Sequence, residues 1–281
     1  MSKRTDVVEL KFGDGSVSRI EPRVHALLKT LEREINAERV QLPKFFDLAT
    51  ITKGDNDELL DFYQFILQHR DISSSQLFQD LFVLFIHANK RYGTFLEFGA
   101  TDGVEYSNSL ALEKNFDWTG VLAEPSPQWH AKLSKNRPST KIVTDCIYSE
   151  SGHQLDFFVS DVGVLSTLDA FRHSDSNSIP GNAQARNNSG YNCKVNTVSL
   201  NEIMETHFNG KPVDYMSVDT EGSELLILNS FDFAKYAPKV VTVEHNFTES
   251  QNQLDTLFSD NGYVRMFKRY TQFDAWYVLA D

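Results

Sequence analysis

Two cysteines in 281 residues, Cys146 and Cys193, are too few for a disulfide framework or for a zinc site built on cysteine alone. Long hydrophobic runs are also missing. The longest, Leu81 to Ile86, falls far short of the ~20 apolar residues a membrane-spanning helix needs. Positive charge is in deficit: 39 Asp and Glu against 27 Lys and Arg leave a net charge of −12. That balance argues against holding nucleic acid or an anionic membrane by phosphate neutralisation. The Met-Ser-Lys-Arg start runs into Asp6 and Glu9 without an apolar stretch, which predicts no secretory signal and a cytoplasmic protein. On that expectation the sequons at Asn187-Asn188-Ser189 and Asn246-Phe247-Thr248 are chance matches. No repeat of solenoid period is visible.

Core material, by contrast, is plentiful. Hydrophobic residues at 41% and charged residues at 23% describe a globular chain, and 21 phenylalanines predict aromatic-rich contacts between helices and strands. The length allows one large domain or two small ones.

The first third reads as helical. Pro22 suits a first helical position, with Val24, Leu27, Leu28, Leu31 and Ile35 as an apolar stripe. A second helix is predicted from near Asp55. A third follows Ser73, with Gln76 completing a capping box. After Arg91 short apolar runs alternate with helical stretches. Thr94–Phe98, Gly120–Glu124, Lys141–Asp145, Val213–Asp219 and Lys239–Glu244 read as buried strands, with helices at Gln128–Asn136 and Ser223–Phe231. This alternation predicts an α/β fold, a parallel sheet with helices on both faces. Gly262–Val264 and Phe273–Leu279 are predicted to close it as a C-terminal antiparallel hairpin. Leu155–Ser160 and Val195–Ser199 read as short extra strands. The polar stretch Arg172–Lys194 between them reads either as a disordered surface loop or as a lid.

Ligands of open α/β sheets bind outside the carboxyl ends of the strands. Here those ends carry Glu97, Glu124, Asp145, Asp219 and Glu244. The first strand runs into Glu97-Phe98-Gly99-Ala100-Thr101-Asp102-Gly103, where Gly99 and Gly103 permit a sharp turn and close backbone approach. Thr101 stands where the dinucleotide fingerprint needs its second glycine, which counts against NAD. An acidic residue before the turn suits a cationic amino group, Glu124 is placed for ribose hydroxyls, and Asp145 for an adenine amino group. A ligand with ribose, adenine and a cationic amino acid but no phosphate is S-adenosylmethionine.

From Gln76 to the C-terminus the chain resembles the FkbM-type S-adenosylmethionine-dependent methyltransferases. The resemblance rests on Ser75–Val83, the Phe95–Gly103 passage, Ser107-Asn108, Leu112-Glu113 and Trp118–Pro125, with Glu124-Pro125 at its end. It continues through Val198-Ser199-Leu200, Val213–Glu224 with its Asp219-Thr220-Glu221-Gly222 core, Val243–Asn246, Gly262-Tyr263 and Asp274–Val278. Thr101 departs from the family, which commonly shows Asn there. The resemblance implies a Rossmann-like class I methyltransferase sheet over residues 71–281, preceded by an N-terminal helical extension over 1–70. It implies methyl transfer, most often to a hydroxyl of a sugar, a glycan or a secondary metabolite.

A hydroxyl acceptor calls for a general base or a metal. His245, after a strand end in the expected cleft, is the leading base, against a reading in which it only bonds a neighbouring loop. Asp219 orients His245, and Glu221 binds the acceptor or caps the following helix. Alternatively Asp219, Glu221, Glu244, His245 and Asn246 hold a divalent metal, a possibility that is not favoured. Ser107 and Asn108 are expected at the methionine end of the cofactor or as helix caps, and Cys146 in the adenine pocket or as a small buried hydrophobe. The expected partner is a small-molecule or glycan acceptor, not nucleic acid, with the N-terminal helices as a possible homo-oligomer contact. The rival readings are a non-catalytic glycan- or metabolite-binding module on the same fold and a nicotinamide-dependent oxidoreductase.

Overall fold

The computed structural model describes residues 8–11, 17–20, 22, 23, 26, 29, 57–175 and 177–280. They fall in two compact units, 1–70 and 71–281. The first unit departs from an all-helical reading. Val8–Lys11 pairs antiparallel with Val17–Ile20, Val8 opposite Ile20. Val8, Val17 and Ile20 favour extended backbone. The predicted stripe at Val24, Leu27, Leu28, Leu31 and Ile35 lies outside the described residues. A helix runs over Asp57–His69.

In the second unit the strands are β1 (Thr94–Phe98), β2 (Thr119–Ala123), β3 (Lys141–Val143), β4 (Cys146–Tyr148), β5 (Gln154–Ser160), β6 (Thr167–Leu168), β7 (Gly190–Ser199), β8 (Tyr215–Val218), β9 (Val240–Glu244), β10 (Tyr263–Met266) and β11 (Asp274–Leu279). The helices are α1 (Gln79–Ile86), α2 (Leu110–Phe116), α3 (Pro127–Asn136), α4 (Pro180–Asn188), α5 (Leu200–Phe208), α6 (Glu224–Asn229), α7 (Phe233–Tyr236) and α8 (Ser250–Asp260). Seven strands form one sheet in the order β10-β11-β9-β8-β1-β2-β3. Its β9, β8, β1, β2 and β3 are parallel, and β11 runs antiparallel to both β9 and β10. The expected closing hairpin is therefore present. The strand order reverses between β1 and β8, which puts a switch point at the centre of the sheet.

Register explains the core. Leu96 lies opposite Met216 and Phe98 opposite Val218, so alternate residues of neighbouring strands share a face. That face packs with Leu200, Ile203 and Met204 of α5, Ile227 and Leu228 of α6, and Leu254 and Phe258 of α8. Phe258 stacks on Tyr277 with ring centroids 3.9 Å apart, one of several aromatic contacts that use the phenylalanine surplus. On the opposite face Phe82 of α1 stacks on Trp276 at 4.6 Å. The middle strands are buried on both faces, which is why they read as continuous apolar runs.

Three local expectations change. The strand predicted over Lys141–Asp145 stops at Val143, and Cys146–Tyr148 belongs to a second sheet of order β4-β7-β5-β6. The Ser73–Gln76 capping box does not form, because α1 begins only at Gln79, after Phe78 in left-handed backbone. Ser73 Oγ donates instead to Asp80 at 2.6 Å. The Arg172–Lys194 stretch is neither disordered nor a bare loop: it holds α4, started by Pro180, and the first half of β7. Among the described residues no helix is long and apolar enough to cross a membrane.

Candidate active site

A cavity of about 360 Å³ opens over the carboxyl ends of β2, β1, β8 and β9. Its floor begins where β1 ends. Gly99 has φ of 81°, and a Cβ there would lie 2.0 Å from the Asp219 carbonyl oxygen, so only glycine lets the turn pass the end of β8. Thr101 is also left-handed, with φ of 46°. A β-branched residue is strained in that conformation and Asn is not, which accounts for the Asn expected at this position by family resemblance. The Thr101 N–H donates to Glu124 Oε2 at 2.7 Å.

Gly103 and Asp102 serve the turn and do not line the cavity. A Cβ on Gly103 would meet Leu133 at 2.6 Å and Arg137 at 2.8 Å, so its role is to admit α3. Asp102 Oδ1 accepts from the N–H groups of Val104 and Glu105, and Oδ2 pairs with Lys132 at 2.6 Å. Both had been expected to contact the cofactor. Asp145, expected at adenine, also lies outside the lining, because the chain leaves the first sheet at Val143.

Glu97 is buried in the cavity wall. Its Oε1 accepts from the Asn108 N–H at 2.8 Å, and its Oε2 from the hydroxyls of Ser107, at 3.0 Å, and Ser109. Buried Arg137 donates to both hydroxyls, at 3.2 and 3.1 Å, and to the Gly103 carbonyl at 3.0 Å. These bonds fix the 107–109 segment before α2. Asn108 donates through Nδ2 to Ser217 Oγ at 3.0 Å, while its Oδ1 is buried and has no partner. An acceptor left open in a ligand-sized cavity fits a ligand N–H.

Glu124 follows β2 with Pro125, both in the lining. Its two oxygens accept from the N–H groups of Thr101 and Ser126, and burial pushes its carboxyl up to about 7. Each oxygen keeps a second lone pair, suitable for a diol. Beyond it Cys146, Ile147, Phe157, Leu165 and Leu168 form an apolar wall for a flat ring. Burial pushes the Cys146 thiol up to about 12, so it stays protonated.

At the other end Asp219, Glu221 and Glu244 place carboxylate oxygens within 4.8 Å of one another. Glu221, left-handed at φ of 57°, accepts from Arg186, and Asn246 Nδ2 donates to Glu244 at 2.8 Å. Burial pushes Asp219 up to about 7, and burial together with its acidic neighbours pushes Glu244 well above the ordinary carboxyl range. Such a group can share a proton or face a cation. Arg186, itself fully buried, also pairs with Asp175 at 2.6 Å and donates to the Leu165 carbonyl at 2.9 Å. It ties α4 to the Asp219–Gly222 turn. Sequence reasoning missed it; Pro180 opening a helix in the Asn-rich stretch was the available signal.

His245 is placed differently from the expected base. Nδ1 accepts from the Phe247 N–H at 3.0 Å, so the proton sits on Nε2, which lies 3.1 Å from the Asp274 carbonyl oxygen and donates to it. No lone pair remains for a substrate, and the residue does not line the cavity. Burial and then Arg265 push its pKa down to about 4. The strand end turns His245 into the closing hairpin while Glu244 and Asn246 face the cavity. Also unforeseen was Asp274, pushed up by burial to about 6 and held by Gln79 and Trp276.

Seven carboxyl side chains line this cavity: Glu97, Glu105, Glu124, Asp219, Glu221, Glu244 and Asp274. No lysine, arginine or histidine among the described residues does.

The family model for the methyltransferase FkbM domain matches residues 97–273. No curated protein matches the chain in sequence. Among solved structures it is similar to methyltransferase FkbM from Methylobacillus flagellatus KT, at 10% identity over 81% of this chain and 63% of that one, with a TM-score of 0.39. It is similar to precorrin-6y C5,15-methyltransferase from Geobacter metallireducens GS-15 at 11% identity, over 66% of this chain and 71% of that one, TM-score 0.35. The fibrillarin pre-rRNA processing protein of Methanococcus jannaschii gives 10% identity over 67% and 66%, TM-score 0.33.

Proposed function

The chain belongs to the methyltransferase FkbM domain family, and from that membership we propose that it transfers the methyl group of S-adenosylmethionine to a hydroxyl of a sugar, glycan or secondary metabolite. The observation that carries this reading is the cavity wall with seven carboxyl groups and, among the described residues, no cationic side chain. A pyrophosphate would be repelled there, whereas a ligand with an ammonium and a sulfonium is attracted. The donor, when bound, supplies an electrophilic methyl on sulfur.

On this reading Glu124 receives the ribose hydroxyls, and the apolar wall at Cys146, Ile147, Phe157 and Leu168 receives the adenine. The Gly99 turn and Asn108 Oδ1 take the methionine end. The acidic cluster at β8 and β9 then faces the acceptor. An attacking hydroxyl loses its proton as the new bond forms. The Asp219–Glu244 pair replaces His245 as the base, since it faces the cavity and Asp219 is pushed close to neutrality. Ordering donor and acceptor in line is the larger part of the catalysis.

Titration calorimetry of the full chain with S-adenosylmethionine and S-adenosylhomocysteine tests the donor. Binding that Glu124→Ala weakens tenfold or more is expected, and no binding of either compound would overturn the reading. The hydroxyl as target is tested by an acceptor screen with methyl-labelled donor, followed by analysis of the methylated atom. A product labelled on carbon or nitrogen would refute that part alone.

A further inference from the structure

Beside the donor cavity lies a second one of about 570 Å³, and the two share Glu244 and Asn246 as walls. We propose that this second cavity is the acceptor subsite and that it takes a polyhydroxyl ring carrying no anionic group. The proposal rests on the donor reading above, because the reacting hydroxyl must meet the methyl group at the shared wall.

The lining states its chemistry. Phe171 and Phe247 supply aromatic surface. Phe247 is 55% exposed, unusual for phenylalanine. It occupies left-handed backbone at φ of 56°, directly after Asn246 at 46°, and the His245 ring anchors its N–H. A phenyl group held out on a braced turn offers a flat apolar platform to the C–H face of a sugar-like ring. Ser174, Asn177, Ser178, Thr248 and Ser250 add an amide and hydroxyls; Ser178 and Thr248 already donate to the carbonyls of Asp175 and His245, so they meet a ligand as acceptors. Aromatic platform and neutral polar groups together suit a polyol.

Charge then narrows the class. Asp175, Glu224, Glu244 and Glu249 border the cavity, His245 is its one titratable nitrogen, and no lysine or arginine among the described residues reaches the lining. Asp175 is paired with Arg186. Glu224 has only N–H and hydroxyl donors from Thr220 and Gly222, and Glu244 has the Asn246 amide. A phosphate, sulfate or carboxylate would meet carboxyl groups and, among the described residues of the lining, no lysine or arginine to pair with, which is specificity by exclusion. A protonated amine would be favoured.

One ring in three charge states makes the test: glucosamine, methyl glucoside and glucose 6-phosphate. Each is titrated into the full chain saturated with S-adenosylhomocysteine, with saturation-transfer NMR as the second readout. Glucosamine and methyl glucoside are expected to bind, and glucose 6-phosphate at least ~10-fold more weakly than either, a gap that narrows with added salt. Phe247→Ala is expected to weaken methyl glucoside at least fivefold while leaving S-adenosylhomocysteine affinity unchanged. Glucose 6-phosphate binding as tightly as the others would overturn the proposal, as would no binding of any ring or indifference to Phe247→Ala. If S-adenosylhomocysteine itself fails to bind, the donor reading has failed first and this one falls with it.

Discussion

At the scale of single residues, a polar side chain belongs to the reaction only if it has capacity left after its structural bonds are counted. His245 has none: one nitrogen accepts from Phe247 and the other donates to Asp274. His245→Ala is therefore expected to lower stability by about 1–3 kcal/mol, because it strands the Phe247 N–H and leaves the Asp274 carbonyl with Arg265 alone. At saturating donor and acceptor, kcat per folded molecule should stay within a few-fold, with any loss falling on the acceptor KM because the His245 ring braces Phe247. Asp219→Asn should preserve folding and cost about 10²–10⁴ in kcat, the usual worth of a general base. Its protonated form should dominate below pH 7, so the wild-type rate should rise with pH through about 7. Labelled-donor turnover of both variants across pH decides between them; loss of kcat in His245→Ala at full occupancy of donor and acceptor would restore histidine as the base. The sequence showed which residue types crowd the strand ends. Which way each points was not legible: Glu244 walls both cavities, whereas its neighbour His245 borders only the second.

At the scale of elements, strands and their order were largely readable, since parallel strands buried on both faces leave continuous apolar runs between turn residues. The second sheet was harder. β7 begins at Gly190 with exposed residues, and its polar first half carries no burial pattern to betray a strand. Nor could spacing reveal that Gly99 and Gly103 answer to different neighbours. Gly99 faces backbone across the sheet, while Gly103 faces side chains of α3 and the residue after it. Gly99→Ala is predicted to abolish donor binding, because a Cβ 2.0 Å from the Asp219 carbonyl oxygen must push apart the ends of β1 and β8. Gly152 is the matched control. It has nearly the same φ, 82° against 81°, but nothing lies within 4 Å of its Cβ position. Gly152→Ala should cost only the left-handed backbone penalty, about 1–2 kcal/mol, with donor affinity intact. Urea denaturation and calorimetry on the pair separate close approach from backbone strain, and equal loss in both variants would show that conformation alone governs the turn.

At the scale of the whole molecule, the net charge of −12 is not evenly consequential. Seven of the carboxyls line one cavity, and burial raises Glu124 and Asp219 to about 7 and Asp274 to about 6. In the unfolded chain these groups titrate near ~4. Between those values the folded protein holds protons that the unfolded chain has released. Their contribution to stability is complete below pH ~4 and is lost as pH rises through 6 to 7. His245 opposes them: lowered to about 4, it stays neutral in the fold while the unfolded chain takes up a proton below ~6.5, so it favours the fold as pH rises across that window. One proton acts against three. Each uncompensated proton is worth about 1.4 kcal/mol per pH unit, so the ligand-free protein should have a lower urea midpoint at pH 8 than at pH 5.5. A cationic donor reverses the economy of the cavity by making its carboxylates favourable when ionised. Saturating S-adenosylmethionine should flatten the decline, and by the same linkage its affinity should increase as pH rises through 7. Urea midpoints with and without donor at the two pH values, together with calorimetric affinities, test both halves. A midpoint that rises from pH 5.5 to 8 without donor would mean that the acidic cavity is already neutralised from within the chain.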